Sequence, residues 1–330
     1  MSEVWIFAEQ RHGTLNKVSF ELLNRGKKLT EKLNSTLSSI LLGYCIKKED
    51  IDELILRGAD KVYVVDDPLL QDYQTDSYVT VMEKTVKEAM PQILILGQTN
   101  VGRDLAPRLA FRLGTTATMD CIELAIDPES KRLLQTKPVY GGNARAIFSS
   151  DTNPQIATIR AKAMSPLEPD ASRKGEIISL DAGLEPSAIR TKVLEKVPEE
   201  VTGIKLEDAK VVVGGGRGIG GPEGFQQLEE LAKILKGAVG ATRPPCDNGW
   251  VPAGLQIGLT GKIITPDLYI AVAVSGASQH MTGSSGAKTI VAINKDAEAN
   301  IFKEARFGIV GDWKKVLPAF TDKVKELLAE

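Results

Sequence analysis

The stretch Leu268–Asp312, LYIAVAVSGASQHMTGSSGAKTIVAINKDAEANIFKEARFGIVGD, decides the fold class. Three apolar runs in it each empty into a turn of small or polar residues, and such turns are where α/β sheets bind ligands. Tyr269–Val274 and Thr289–Ile293 are short and β-branched, and Phe307–Val310 is a shorter third run, so the three read as buried parallel strands. Their carboxyl ends carry Ser275-Gly276-Ala277, Asn294 and Asp312. His280, one of two histidines in the chain, falls in the first turn beside Gln279, in what reads as a glycine- and serine-rich loop. Glycine at such a place lets a ligand approach the backbone closely.

Upstream, the strand Lys210–Val213 runs into Gly214-Gly215-Gly216-Arg217-Gly218-Ile219-Gly220-Gly221 before a helix over Pro222–Leu235. Gly216, Gly218 and Gly221 match GxGxxG between a strand and a helix, which suits a dinucleotide pyrophosphate over a helix N-terminus. The same glycines would also serve as a plain tight turn. A nicotinamide-binding unit places an acid about 20 residues further on to hold the ribose. Here Gly237–Ala241 ends instead in Thr242-Arg243-Pro244-Pro245, with no acid before Asp247. NAD is disfavoured, and NADP stays open because an arginine can take its extra phosphate. Arg243 is either an ordinary surface charge or, fixed by the two prolines, a guanidinium placed to meet an anion or a planar ring. The turn Gln256–Lys262, QIGLTGK, offers backbone donors, a hydroxyl and an amine to a phosphate or heterocycle, or is only a loop.

The first half alternates strands and helices. Strands are expected at Val4–Ala8, Leu37–Leu42, Lys61–Val65 and Ile93–Gly97; helices at Asn16–Leu33, Lys48–Arg57, Ser77–Ala89 and Arg103–Leu113. This rhythm implies a mostly parallel sheet covered on both faces. Lys131–Ala144, Ala146–Ser149 and Ile156–Arg160 read as strands of an antiparallel appendage. Residues 165–206 are rich in proline and charge, with one strand expected at Thr191–Val197, and read as the crossing between domains. The chain is thus α/β, with two domains of mostly parallel sheet flanked by helices: 1–205, including the crossing, and a Rossmann-like unit at 206–330 that closes with a helix over Trp313–Leu328.

At 330 residues the chain is long enough for two domains. Its net charge of −2 and the lack of any run of 18 apolar residues argue against a nucleic-acid binder and a membrane span. The opening MSEVWIFAEQRHG has no basic flank or long apolar region, so a secretory signal is not expected. Cys45, Cys121 and Cys246 lie far apart, which argues against a zinc site, an iron–sulfur cluster or a disulfide framework and for a reducing, cytoplasmic setting. With His12 in the first domain and His280 in the second, neither a serine–histidine–acid triad nor a metal site can be assembled.

Six motifs in order, VVVGGGRG (Val211–Gly218), ATRPP (Ala241–Pro245), QIGLTGK (Gln256–Lys262), LYIAVAVSGASQH (Leu268–His280), KTIVAINKD (Lys288–Asp296) and GIVGD (Gly308–Asp312), closely resemble the α subunit of electron transfer flavoprotein. WIFAE near the start and ILILGQTNVGRDLAPRLA extend the resemblance over essentially the whole chain. The resemblance implies FAD held non-covalently in the C-terminal domain, a β subunit completing a heterodimer, and a dehydrogenase as electron donor. It further implies that Arg217 and Gly218 approach the FAD, and that Arg243 lies over the isoalloxazine with Thr242 supplying a hydroxyl. Gln256, Ile257, Gly258, Leu259, Thr260 and Gly261 would line the flavin. Ser275, Gly276, Ala277, Ser278, Gln279 and His280 would follow the ribityl chain, pyrophosphate and pyrimidine edge. Asn294 and Asp312, with Trp313 beside it, would hold the adenosine end. Arg243 and His280 would tune the flavin, the cation and an N–H donor each favouring the reduced form.

The chain departs from the family pattern at Leu259, where a polar residue is common, at Asn300, where proline is common, and at Arg306-Phe307, where an Asp-Tyr pair is common. Those departures bear on polarity around the cofactor. The implied activity is electron carriage, with any oxidoreductase activity belonging to a complex. Bifurcation would need a second FAD housed mainly by the β subunit. The competing readings are an NADP-linked oxidoreductase or transhydrogenase-like module, and a nucleotide sensor working through the first domain.

Overall fold

Strand β1 (Glu3–Ala8) sends Val4, Ile6 and Ala8 into one core and Trp5 and Phe7 into another, so alternate side chains feed opposite faces of one sheet. A strand buried on both faces needs helices on both, and the chain supplies them. The computed structural model describes residues 2–10, 13–142, 144–195 and 204–329. His12 and the end of the strand expected at Thr191–Val197 lie outside the described residues.

The chain divides into two units, Met1–Pro138 with Arg145–Lys196, and Val139–Ala144 with Val197–Glu330. The short segment Val139–Ala144 thus groups with the second unit although both its flanks belong to the first.

In the first unit α1 (Lys17–Leu33) follows β1, with Asn16 as N-cap accepting from the Val18 N–H. Next come β2 (Thr36–Gly43), α2 (Lys48–Leu56), β3 (Lys61–Asp66), α3 (Thr75–Ala89), β4 (Ile93–Gly97) and α4 (Asn100–Arg112). Strands β5 (Ala117–Cys121), β6 (Glu123–Ile126), β7 (Leu133–Val139), β8 (Ala144–Phe148), β9 (Gln155–Ile159) and β10 (Glu176–Ser179) follow. Seven of these strands form one sheet in the order β10-β3-β2-β1-β4-β9-β5, and every pair in it is parallel. A small sheet, β6-β7-β8, stands beside it, with β6 and β7 antiparallel.

Several expectations need correction. The run at Ile156 is a central strand of the large sheet, parallel to β4 and β5, and not part of an antiparallel appendage. The strand expected over Lys131–Ala144 stops at Val139, where Tyr140 takes a left-handed conformation, φ 51°, and a turn begins. Thr191–Glu195 are irregular; the strand in the crossing region is β10, which adds to the edge of the large sheet beside β3. Edge pairing supplies partners that local propensity cannot reveal.

The second unit contains β11 (Val211–Gly215), α5 (Pro222–Ile234), β12 (Ala238–Ala241), α6 (Arg243–Asp247), β13 (Leu268–Val272), α7 (Ser278–Ser284), β14 (Thr289–Asn294), α8 (Ile301–Glu304), β15 (Phe307–Val310) and α9 (Trp313–Ala329). Its five strands are all parallel, in the order β12-β11-β13-β14-β15. Val212, Tyr269 and Ala271 pack on one face, and Val213, Ile270 and Val272 on the other. The chain runs from β11 outward to β12, then returns past β11 to β13. The strand order therefore reverses between β11 and β13, and the crevice outside their carboxyl ends is the place where such sheets take a ligand.

Candidate functional site

Two turns line that crevice. After β11, Gly216 sits so close to the turn after β13 that a Cβ there would lie 2.0 Å from the Ala273 carbonyl oxygen. Only glycine permits this approach. Ala273 itself has φ 53° and Gly276 φ 79°, so the turn after β13 doubles back sharply. It is held by the Asn294 Nδ2 donating to the Val274 carbonyl at 2.8 Å and by the Ile301 N–H donating to the Ser275 carbonyl at 3.1 Å. The Trp313 Nε1 donates to the Gly218 carbonyl at 3.0 Å, tying the glycine-rich turn to the start of α9. Asp312 caps that helix, its Oδ1 accepting from the Lys314 N–H at 3.0 Å.

Helix α5 starts at Pro222 with Gly221 before it, and among the described residues no side chain caps its first turn. Those uncapped amides, near the positive end of the helix dipole, can receive an anion. At the ends of β13, β14 and β15, Gly218, Ala273, Asn294, Lys295, Asp312, Trp313 and Lys314 enclose a cavity of about 240 Å³. Arg217, Gly218, Ser275, Ala277, Ser278 and Gln279 are exposed around this end of the sheet, and Gly276 is buried in the turn.

On the other side of β11, the end of β12 carries Thr242, Arg243 and the turn at Gln256–Lys262. Thr242 is buried, and its hydroxyl has no hydrogen-bond partner among the described residues. An orphaned buried hydroxyl costs free energy unless a bound group satisfies it. Arg243 opens α6, is largely exposed, and pairs with Asp247 at 3.1 Å. The turn closes on itself: the Ile257 N–H donates to the Ala241 carbonyl at 2.8 Å and the Lys262 N–H to the Gln256 carbonyl at 2.7 Å. Gln256 Nε2 donates to the Thr260 Oγ1 at 2.9 Å, while Leu259 is exposed.

The sequence reads His280 as part of a glycine- and serine-rich loop; the structure instead puts it in a helix, with a partner within the chain at each ring nitrogen. Ser278–Ser284 is a short helix, α7, and His280 is 6% exposed. Its Nδ1 lies 3.1 Å from the Ile257 carbonyl, which can only accept, so Nδ1 carries the proton. Nε2, 2.8 Å from the Tyr269 hydroxyl, then accepts from it. Burial pushes the imidazole down to about 4, against the opposing pull of the Ile257 hydrogen bond, so the ring is neutral at physiological pH. The small residues read as loop-formers allow close packing, since a Cβ on Gly283 would lie 2.4 Å from the Gly258 nitrogen. The Leu259 N–H also donates to the Gln279 carbonyl at 2.7 Å, fastening the 256–262 turn to α7.

The structure thus assembles two clusters. Arg217, Gly218, Ser275, Gly276, Asn294, Asp312 and Trp313 gather around the ends of β11, β13, β14 and β15. Thr242, Arg243 and residues 256–261 gather around the end of β12, with Gln279 and His280 joining them through α7. The sequence reading does not single out Tyr269, whose hydroxyl meets His280. The signal was present, because a tyrosine in an otherwise apolar buried strand must find a partner for its hydroxyl.

Two family models match the chain: "Electron transfer flavoprotein domain" over residues 4–184 and "Electron transfer flavoprotein FAD-binding domain" over residues 205–285. The chain is 46% identical to "Electron transfer flavoprotein subunit alpha" of Thermoanaerobacterium thermosaccharolyticum, covering 98% of each. It is likewise 46% identical to the protein of that name from Clostridium acetobutylicum, covering 98% of this chain and 96% of the relative. At 37% identity, over 98% of this chain and 96% of the relative, it is similar to "Acryloyl-CoA reductase electron transfer subunit beta" of Anaerotignum propionicum. Among the described residues no helix is long and apolar enough to cross a membrane. The chain belongs to the electron transfer flavoprotein family, as an alpha subunit that transfers electrons in partnership with a beta subunit.

Proposed function

We propose that the second unit binds FAD non-covalently across the carboxyl ends of its sheet, and that the chain carries electrons from a dehydrogenase to an acceptor. One observation supports this above others. The switch point between β11 and β13 combines a glycine packed against backbone, an uncapped helix α5 and, one strand away, the orphaned hydroxyl of Thr242. Bound FAD supplies the redox chemistry, and the protein supplies position and electrostatics.

In this reading the first turn of α5, with Arg217 and Gly218, receives the pyrophosphate. Asn294, Asp312 and Trp313 border the adenosine end, where Lys295 and Lys314 add positive charge. Thr242 donates its hydroxyl, and the exposed Arg243 guanidinium lies against the ring and stabilises negative charge gained on reduction. Neutral His280 acts at one remove: its Nδ1–H holds the Ile257 carbonyl and so fixes the turn that presents Gln256, Gly258, Leu259, Thr260 and Gly261. Leu259 brings an apolar side chain to that turn, which leaves its polar contacts to the bonded pair Gln256 and Thr260. Ser275, Gly276, Ala277, Ser278 and Gln279 follow the middle of the cofactor. The NADP-linked alternative is disfavoured, because the second unit matches an FAD-binding family model and the relatives include electron transfer flavoprotein subunits.

A cytoplasmic location fits the free state of Cys45, Cys121 and Cys246. The test is purification with the beta subunit, followed by absorbance and cofactor release. A yellow complex that keeps FAD through gel filtration is expected, with one FAD indicating a simple carrier and two a complex able to bifurcate. A colourless complex that binds NADP would overturn the reading.

A further inference from the structure

The first unit has a switch point of its own. Strand β1 lies between β2 and β4, and the chain crosses from one side of β1 to the other between β3 and β4. The crevice outside the carboxyl ends of β1 and β4 is therefore the position where a nucleotide would be expected, with α1 and α4 starting there. In the first unit a carboxylate of the chain itself links the starts of those two helices.

Glu9, directly after β1, is 8% exposed. Its Oε1 accepts from the Asn16 Nδ2 at 3.0 Å, and its Oε2 from the Thr99 Oγ1 at 2.5 Å. Asn16 is the N-cap of α1 and Thr99 the N-cap of α4, where it accepts from the Gly102 N–H at 3.0 Å. One carboxylate thus bridges the caps of the two helices whose N-termini face the crevice. The backbone of Glu9 is locked as well: its N–H donates to the Ser19 Oγ at 3.0 Å, and its carbonyl accepts from the Asn16 N–H at 2.8 Å. The neighbouring Gln10 covers the end of β2, its Nε2 donating to the Leu42 carbonyl at 3.2 Å. The second unit differs at the corresponding helix, since α5 has no side-chain cap.

We propose that Glu9 is a built-in substitute for a nucleotide phosphate, which closes the switch point of the first unit and confines nucleotide binding by this chain to the second. A phosphate needs the free amides and a neutral or positive crevice. Asn16 and Thr99 each take up one amide of their helices, and the Glu9 carboxylate takes up the donors of both cap side chains, so those groups are already engaged. The inference concerns the first unit and does not depend on where the flavin lies in the second.

The experiment uses the full chain in its flavin-loaded complex with the beta subunit, irradiated with 8-azido-AMP and mapped by peptide sequencing. Wild-type protein should show no label in residues 1–138, whereas Glu9→Ala and Glu9→Ser should be labelled near residues 9–19 and 97–102. Inorganic phosphate should raise the melting temperature of both variants by ~3 °C over sodium chloride of equal ionic strength, and leave wild type unmoved. Labelling of the wild-type crevice, or folded variants that take up no label, would overturn the proposal. Variants that fail to fold even in phosphate would do the same, because a phosphate substitute must be replaceable by phosphate.

Discussion

The Tyr269 hydroxyl and the His280 Nε2 lie 2.8 Å apart in the interior of the second unit, and with the Ile257 carbonyl they form a chain of two hydrogen bonds linking β13, α7 and the 256–262 turn. Tyr269→Phe removes the donor and leaves a buried nitrogen unsatisfied. The expected cost is about 1–3 kcal/mol, read from the urea midpoint. An unchanged midpoint would show that the relay contributes nothing to holding the turn.

Two buried groups oppose each other in acid. The imidazole of His280 is pushed down from its ordinary 6.5 to about 4 by burial, so its contribution to stability is full above pH 6.5 and is lost as pH falls toward 4. Glu21 is pushed up from 4.5 to about 7, chiefly by burial, partly offset by the hydrogen bond from the Lys162 N–H; its contribution is full below pH 4.5 and lost as pH rises through 7. Each is worth up to roughly 3 kcal/mol. Melts of Glu21→Gln between pH 4 and 8 should therefore show a steeper acid loss than wild type, and greater stability at pH 8.

Gly216→Ala drives a methyl group into backbone, 2.0 Å from the Ala273 oxygen, whereas Gly220 has φ 91° and nothing within 4 Å of an added Cβ. Gly216→Ala should lose bound flavin and cost ~2–3 kcal/mol. Gly220→Ala should cost ~1–2 kcal/mol for its left-handed backbone and retain the flavin. Equal retention of flavin by both would count against the crevice as the binding site.

Thr242→Val keeps the shape of a buried residue whose hydroxyl has no partner among the described residues. Without flavin the variant should be as stable as wild type or more so, by up to ~1 kcal/mol. Its FAD affinity should fall about tenfold, measured by fluorescence titration. A variant that loses stability yet binds FAD normally would remove Thr242 from the site.

Arg243→Ala should change stability by less than ~0.5 kcal/mol, because the side chain is exposed and its ion pair with Asp247 is a surface one. Its effect should appear in spectroelectrochemistry as a lower one-electron potential of the bound flavin. Each 1.4 kcal/mol of lost charge stabilisation corresponds to about 60 mV, and Arg243→Lys should recover part of it.

The sequence by itself placed parallel strands at 210–213, 269–274 and 289–293, which the structure has at 211–215, 268–272 and 289–294, the second ending where Ala273 turns left-handed, and it placed the glycine-rich turn between β11 and α5. Each is encoded by neighbours: an apolar β-branched run for burial on both faces, then residues that permit a turn. Tertiary structure alone decided which strands are adjacent. Gln155–Ile159 sits between β4 and β5, and Glu176–Ser179 borders β3, because partners distant in sequence complete their hydrogen bonds. The direction of His280 was settled in the same way. A histidine among glycines and serines reads either as a satisfied structural residue or as a loop ligand, and the fold brings Tyr269 and the Ile257 carbonyl to its two ring nitrogens while burial keeps the ring neutral. Local sequence carries backbone propensity, whereas the protonation and reach of a side chain depend on what the folded chain packs around it.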